Sequence, residues 1–196
     1  MQMALPFTNE QRDSIRARLV LSAQRHALKT GLKKTSLDML TSDAGISKSS
    51  FYKFYDSKEM LFLEVAGRWE QQLLATARLA LTEHPERSDK ERAAAMVLSV
   101  FREIHEMGIA RFLREDLPQL TLCIPRALAR EHYMSSAEMI FASLREAEIR
   151  FTAPDEVILS VIQLLYLSIL NIAELGDSFF PALHEVVAGA CDRLVA

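Results

Sequence analysis

A chain of 196 residues, 49% hydrophobic and 25% charged, is long enough to bury a real core in one or two domains. Its formal net charge of −3 argues against a generic nucleic-acid coat protein. Two cysteines, Cys123 and Cys191, are too few and too far apart for a disulfide framework; among apolar neighbours, both read as small core residues in a reducing compartment.

The first helix is capped by Thr8 or Asn9, with Phe7 available as a staple and Ile15, Leu19 and Ala23 at helical spacing. It ends near Gly31, and Lys29, Lys33 and Lys34 lie close to its negative end. A second helix starts at a Ser36 cap, with Asp38 in its first turn, and Gly45 makes the turn that follows. Ser47 then caps a third helix over residues 48–55, which exposes Lys48, Ser49, Ser50, Tyr52 and Lys53 while Phe51 and Phe54 point inward. Two short helices around a glycine turn, the second rich in hydroxyls, Lys and Tyr, describe a DNA-reading helix-turn-helix. A fourth helix runs from Ser57 to about Thr82, where His84-Pro85 ends it.

Further helices are expected over residues 88–106 and 109–114, with Pro118 as punctuation. Longer ones follow near 124–148 and 154–175, and a last one covers 180–195. Pro125 and Pro154 fit first-turn positions. No strand alternation, repeat or low-complexity tract intervenes, so the fold class is all-α, with about nine helices. The N-terminus lacks the charged head and long apolar run of a signal peptide, which leads to a cytoplasmic expectation. Residues 157–173 approach a membrane span in length, but Ser160, Gln163, Ser168 and Asn171 interrupt them; a buried interface helix is the better reading.

The stretch Leu40-Thr41-Ser42-Asp43-Ala44-Gly45-Ile46-Ser47-Lys48-Ser49-Ser50-Phe51-Tyr52-Lys53-Phe54-Tyr55-Asp56-Ser57-Lys58-Glu59-Met60-Leu61 resembles the TetR family of bacterial transcriptional regulators. Thr41, Ser49 and Tyr55 depart from the family's usual Ala, Gly and Phe. Thr41 can return its hydroxyl to a carbonyl one turn earlier, and Ser49 adds a side chain that could face a base edge. The resemblance implies a DNA-binding domain over residues 1–56 and a helical ligand-binding and dimerisation domain over residues 57–196. Charge is divided in the same sense: residues 1–58 carry ten Lys/Arg against five Asp/Glu, and the remainder thirteen against twenty-one. A basic head on an acidic body suits a protein that touches phosphate with one end only.

The candidate DNA-binding residues are Thr35, Ser36, Ser47, Lys48, Ser49, Ser50, Tyr52, Lys53 and Lys58. By resemblance, Tyr52, Lys58, Ser36 and Ser50 contact the DNA backbone, whereas Lys48, Ser49 and Lys53 are candidates for base edges. The competing explanation is an ordinary solvated helix face, with the hydroxyls serving as caps. Dimerisation is expected through the last two long helices, by Leu159, Ile162, Tyr166 and Ile169 on one and Leu183, Val186, Val187, Ala190 and Leu194 on the other. An intramolecular core face would account for some of these. Candidates for a ligand pocket are Phe101, His105, Phe112, Cys123, Tyr133, Phe141, Tyr166 and Asn171, and few charges on the presumed inner faces point to a neutral apolar or aromatic ligand.

Five histidines without paired metal-ligand spacing, and no Gly-rich loop or nucleophile elbow, give no basis for an enzyme, a metal site or a cofactor. The expected protein is a homodimeric, ligand-responsive repressor that binds a near-palindromic DNA operator, the repressor sense coming from the family alone. The alternatives are a helical small-molecule carrier or sensor with a non-functional DNA-binding head, and a structural dimerisation module.

Overall fold

Hydroxyl side chains start the helices. In a computed structural model that describes residues 7–124 and 136–196, Thr8, Ser36, Ser47, Ser57 and Ser88 each accept a hydrogen bond from the backbone N–H three residues on. Each satisfies one of the donors that a helix leaves free at its start. They begin α1 (Asn9–Lys29), α2 (Leu37–Ala44), α3 (Lys48–Phe51), α4 (Lys58–Thr82) and α5 (Asp89–Glu106). Only α3 departs from its expected span: the α-helix covers four residues, and Tyr52 to Phe54 continue as turns.

A π turn, Phe112–Asp116, leads into α6 (Leu117–Cys123). The chain was expected to break at Pro118, yet it stays helical. Pro118 sits in the first turn of α6, has no N–H to give, and its ring opposes the carbonyl four residues back. The wider π turn before it accommodates both defects. After it come α7 (Ser136–Glu146), α8 (Asp155–Leu170), α9 (Ile172–Leu175), a 3₁₀ turn at Gly176–Ser178, and α10 (Phe179–Leu194). The helix expected over 154–175 is interrupted at Asn171, whose side-chain amide donates to the Leu167 carbonyl (2.8 Å). An antiparallel bridge between Phe151 and Val195 ties the approach to α8 to the end of α10.

Helix α4 packs against α1 and against α5, α6 and α7. Phe51 and Phe62 are fully buried, as are Phe101 and Phe112, and the edge of Trp69 meets the Phe112 ring at 5.1 Å between centroids. Among the described residues no single helix is long and apolar enough to cross a membrane; α8 and the 172–194 segment would qualify only as a pair, bent by 71°. Cys123 is exposed and not a core residue, while Cys191 is half-buried. The Cys191 thiol is pushed up to about 11 by burial, with the Asp192 charge adding to the shift.

Where α1 ends, the body touches the head. The buried Asp116 carboxylate accepts the Leu32 N–H through Oδ1 (3.1 Å). Its Oδ2 makes no hydrogen bond and lies 3.6 Å from the Arg111 guanidinium. Arg111 in turn donates to the Ala27 carbonyl (2.5 Å), one of the last carbonyls of α1. Gly31 has φ +81°, and a Cβ there would lie 2.8 Å from Arg111 Nη1 and 2.9 Å from Asp116 Oδ2. Gly45 also has positive φ (+67°) but opens onto space. Gly31→Ala should therefore cost about 1–3 kcal/mol from backbone strain alone, with steric displacement in addition. Gly45→Ala, with left-handed backbone but open space, should cost about 1–2 kcal/mol. Urea denaturation midpoints of the two variants check the order, and equal midpoints would contradict the close approach at Gly31.

Candidate nucleic-acid interface

Helix α3 is held to the head by one ring. Phe51 is fully buried, with Tyr52 packed edge-on at 5.7 Å and Tyr55 tilted at 5.7 Å. With that side fixed, Ser47, Lys48, Ser49, Tyr52 and Lys53 all project outward and are exposed, and Tyr52 is 58% exposed. The Ser47 hydroxyl caps the helix and also meets the hydroxyls of Ser49 (2.9 Å) and Ser50 (3.0 Å). Three hydroxyls clustered at one helix start give acceptors and donors to the same small patch. Lys53 lies over the Phe7 ring at 5.5 Å, and its carbonyl accepts from Arg12 (3.3 Å).

Two expected contacts are placed otherwise. Thr35 is 1% exposed, and its hydroxyl donates to the Gly31 carbonyl (2.7 Å), so this side chain faces the interior. Lys58 is half-buried, and its ammonium donates to the carbonyls of Leu32 (3.0 Å) and Thr35 (2.8 Å). It fastens the start of α4 to the loop before α2, leaving one of its three N–H groups for anything outside. Ser36 is exposed and caps α2. Thr41 returns its hydroxyl to the Leu37 carbonyl (2.9 Å), as its place in the helix suggested.

The angle between α1 and α2 rests on a polar cluster that local patterns did not reveal. Asp43 Oδ2 accepts from Ser22 Oγ (2.7 Å), Arg25 Nη2 (2.5 Å) and His26 Nε2 (2.9 Å). Since a carboxylate only accepts, His26 carries its proton on Nε2, and the buried Nδ1 is left without a partner. A second network joins α1 to α4: Glu64 accepts from Arg16 (2.7 Å), Tyr55 Oη (2.8 Å) and Arg68 (2.9 Å). Burial raises the Glu64 pKa, but those hydrogen bonds outweigh it and the net shift is downward. The Tyr55 phenol is pushed up to about 12, by burial first and by Glu64 next.

The body places the remaining candidates apart. Phe101 and Phe112 are fully buried in packed core. His105 is exposed, its ring 5.3 Å from that of Phe180. Phe141 stacks on Phe151 with the Arg145 guanidinium 5.3 Å from its ring, Tyr166 and Asn171 are half-buried, and Cys123 is exposed. Tyr133 lies outside the described residues. None of the others lines either of two apolar spaces. One is a small, partly open cavity of about 40 Å³ among α5, α7, α8 and α10; the other is a groove of about 410 Å³ between α8 and α10.

The dimer candidates also divide. Ile169 is fully buried, Ile162 and Val187 are buried, and Ala190 and Leu194 are half-buried beside the same small apolar cavity. Leu183 is buried at the floor of the groove, Leu159 and Tyr166 are half-buried, and Val186 is 56% exposed on the rim. Exposed beside it are Leu164 (67%), Leu167 and Leu175, which periodicity alone could not tell from their buried neighbours.

Hydrogen bonds from Ser22 and then His26 hold the Asp43 carboxylate down at about 2, below its ordinary 3.8, with Arg25 assisting. A depressed folded-state pKa gives stability that is present above the ordinary value and is lost as pH falls toward the folded one. The native protein should therefore lose this contribution between about pH 4 and pH 2, and Asp43→Asn should flatten the pH dependence in that window. Denaturation midpoints at pH 5, 4 and 3 check this; identical slopes in both proteins would remove Asp43 from the account.

Residues 22–65 match the family model described as bacterial regulatory proteins, tetR family. A search of curated proteins finds no match. A tetR-family transcription regulator from Shewanella sp. PV-4, itself described as putative, superposes with a TM-score of 0.66 at 11% identity, covering 93% of this chain and 98% of its own. The transcriptional regulator FadR from Bacillus subtilis, solved with stearoyl-CoA, gives 0.67 at 13% identity, covering 89% and 96%. RolR, solved with resorcinol, gives 0.56 at 18% identity, covering 93% and 89%. At such identities the superpositions speak for the fold, and the sequence match is confined to the helix-turn-helix and the start of α4. Residues 22–65, which include the exposed α3, thus match the tetR-family model, and the chain shares its all-helical fold with solved regulators of that family.

Proposed function

We propose that the protein is a homodimeric repressor that binds a near-palindromic operator and is released by a small apolar or aromatic effector. The observation that carries the DNA assignment is the outward face of α3, where Lys48, Ser49, Tyr52 and Lys53 are all exposed while Phe51 is fully buried. In this reading residues 1–56 form the DNA-reading domain and residues 57–196 the effector and dimer domain, with α4 common to both. Tyr52 and the hydroxyls of Ser36 and Ser50 grip phosphates, and Lys48, Ser49 and Lys53 face base edges. Lys58 and Thr35 act indirectly, by holding the loop before α2 in place.

Stearoyl-CoA in the B. subtilis FadR structure and resorcinol in that of RolR support an effector with apolar or aromatic character. The groove between α8 and α10 supports self-association. Its exposed Leu164, Leu175 and Val186 form an apolar strip on a helix pair of the kind that builds a four-helix interface. Two-fold symmetry then sets the heads roughly 34–36 Å apart, one turn of duplex, or a multiple of that distance.

Fluorescence anisotropy with labelled duplex tests the DNA assignment. Tyr52→Phe should weaken operator and random duplex alike by about 1 kcal/mol, one ordinary hydrogen bond. Lys48→Met should instead reduce discrimination at one base position by about 1–3 kcal/mol. If the native protein shows no salt-dependent binding to any duplex, the regulator reading fails. Sedimentation tests the dimer: Leu164→Glu together with Val186→Glu should give a folded monomer, because both side chains are exposed in the single chain. An unchanged dimer would place the interface elsewhere.

A further inference from the structure

The DNA-facing side of the head carries a carboxylate that a phosphate-binding surface has no evident use for. Asp38 lies in the first turn of α2 and is exposed, and its Oδ1 is 2.8 Å from the ammonium of Lys48 at the start of α3. Both side chains are open to solvent, at 72% and 54%. The pair therefore bridges the two helices of the motif on the very face proposed to meet DNA. The other lysine of this face, Lys53, lies over the Phe7 ring.

An anion in the first turn of a helix sits where backbone N–H groups and the helix dipole would otherwise attract a phosphate. Asp38 occupies that place covalently and cancels the charge of Lys48 while the two are paired. An exposed pair of this kind is weak and easily exchanged. A duplex that offers Lys48 a good acceptor can draw it away, but then it must also tolerate a freed carboxylate near its backbone. A duplex that offers only phosphates meets a neutral pair and a repelling charge. Discrimination gains when the wrong partner is penalised, even at some loss of absolute affinity.

We propose that Asp38 is a specificity-determining residue: it holds Lys48 and repels the phosphodiester backbone, so that binding to non-operator duplex is suppressed more than binding to operator. This rests on the DNA-binding reading of the α3 face.

The test compares the full-length native protein with Asp38→Asn, which keeps the side-chain shape and removes the charge. The probes are random-sequence duplex and a duplex selected by the native protein from a random pool, each titrated from 50 to 200 mM salt. Asp38→Asn should bind random duplex roughly three- to tenfold more tightly near 0.1 M salt. Its log–log salt slope should steepen by about 0.9, the equivalent of one more neutralised phosphate, and the ratio of selected to random affinity should fall. Adding Lys48→Met to Asp38→Asn should abolish most of the gain, since the released cation is gone. Lys53→Met in the same background should reduce binding without abolishing the gain. Unchanged or weaker random-duplex binding by a folded Asp38→Asn protein overturns the proposal, as does an undiminished gain in the double variant with Lys48→Met. Native protein that ignores duplex altogether sinks the underlying DNA reading instead, and the two failures are thus distinct.

Discussion

One helix runs the length of a single continuous core. Helix α4 spans 25 residues, about 37 Å at the usual rise. Its start is bound to the head through Lys58 and Glu64, which reach the loop before α2, Tyr55 and α1. Its far half belongs to the body, where Trp69 meets Phe112, Gln72 donates to Glu103, and the Leu81 carbonyl accepts from Arg92. Buried side chains run the whole length, from Leu61 to Leu81. Helix α4 is continuous from Lys58 to Thr82, so no flexible linker separates the two parts along it.

A second, polar connection runs beside it. Asp116 and Arg111, on the π turn and just before it, meet the last carbonyls of α1 and the N–H of Leu32. A π turn is a rare way to continue a helix, and here it lies next to Pro118 and presents the buried Asp116 carboxylate to the Leu32 N–H. Asp116 Oδ2 makes no hydrogen bond but lies 3.6 Å from the Arg111 guanidinium, and Gly31 leaves no room for a Cβ between them.

Much of the architecture was legible because it depends on neighbours in sequence. The caps Thr8, Ser36 and Ser47, the helix starts at Ser57 and residue 88, the turn at Gly45 and the inward Phe51 are all local signals, and each is where it was expected. What local signals could not supply was orientation. Helix α8 is apolar on nearly every side, so spacing alone does not separate the buried Ile162 and Ile169 from the exposed Leu164 and Leu167. Pro118 read as a break because the compensating π turn leaves no pattern of its own. Polar pairs across long sequence gaps, Asp43 with Ser22 and His26 or Asp38 with Lys48, were invisible for the same reason.

The two cysteines differ in a way that has practical weight. A thiol reacts through its thiolate and needs access to solvent. Cys191 has neither in full measure, with a thiol raised to about 11 and half-buried beside the small cavity. Cys123 is open at the end of α6, one helix beyond the π turn. At neutral pH a maleimide dye would attach there first, giving a single optical reporter at the end of α6, with no need to engineer a new attachment point.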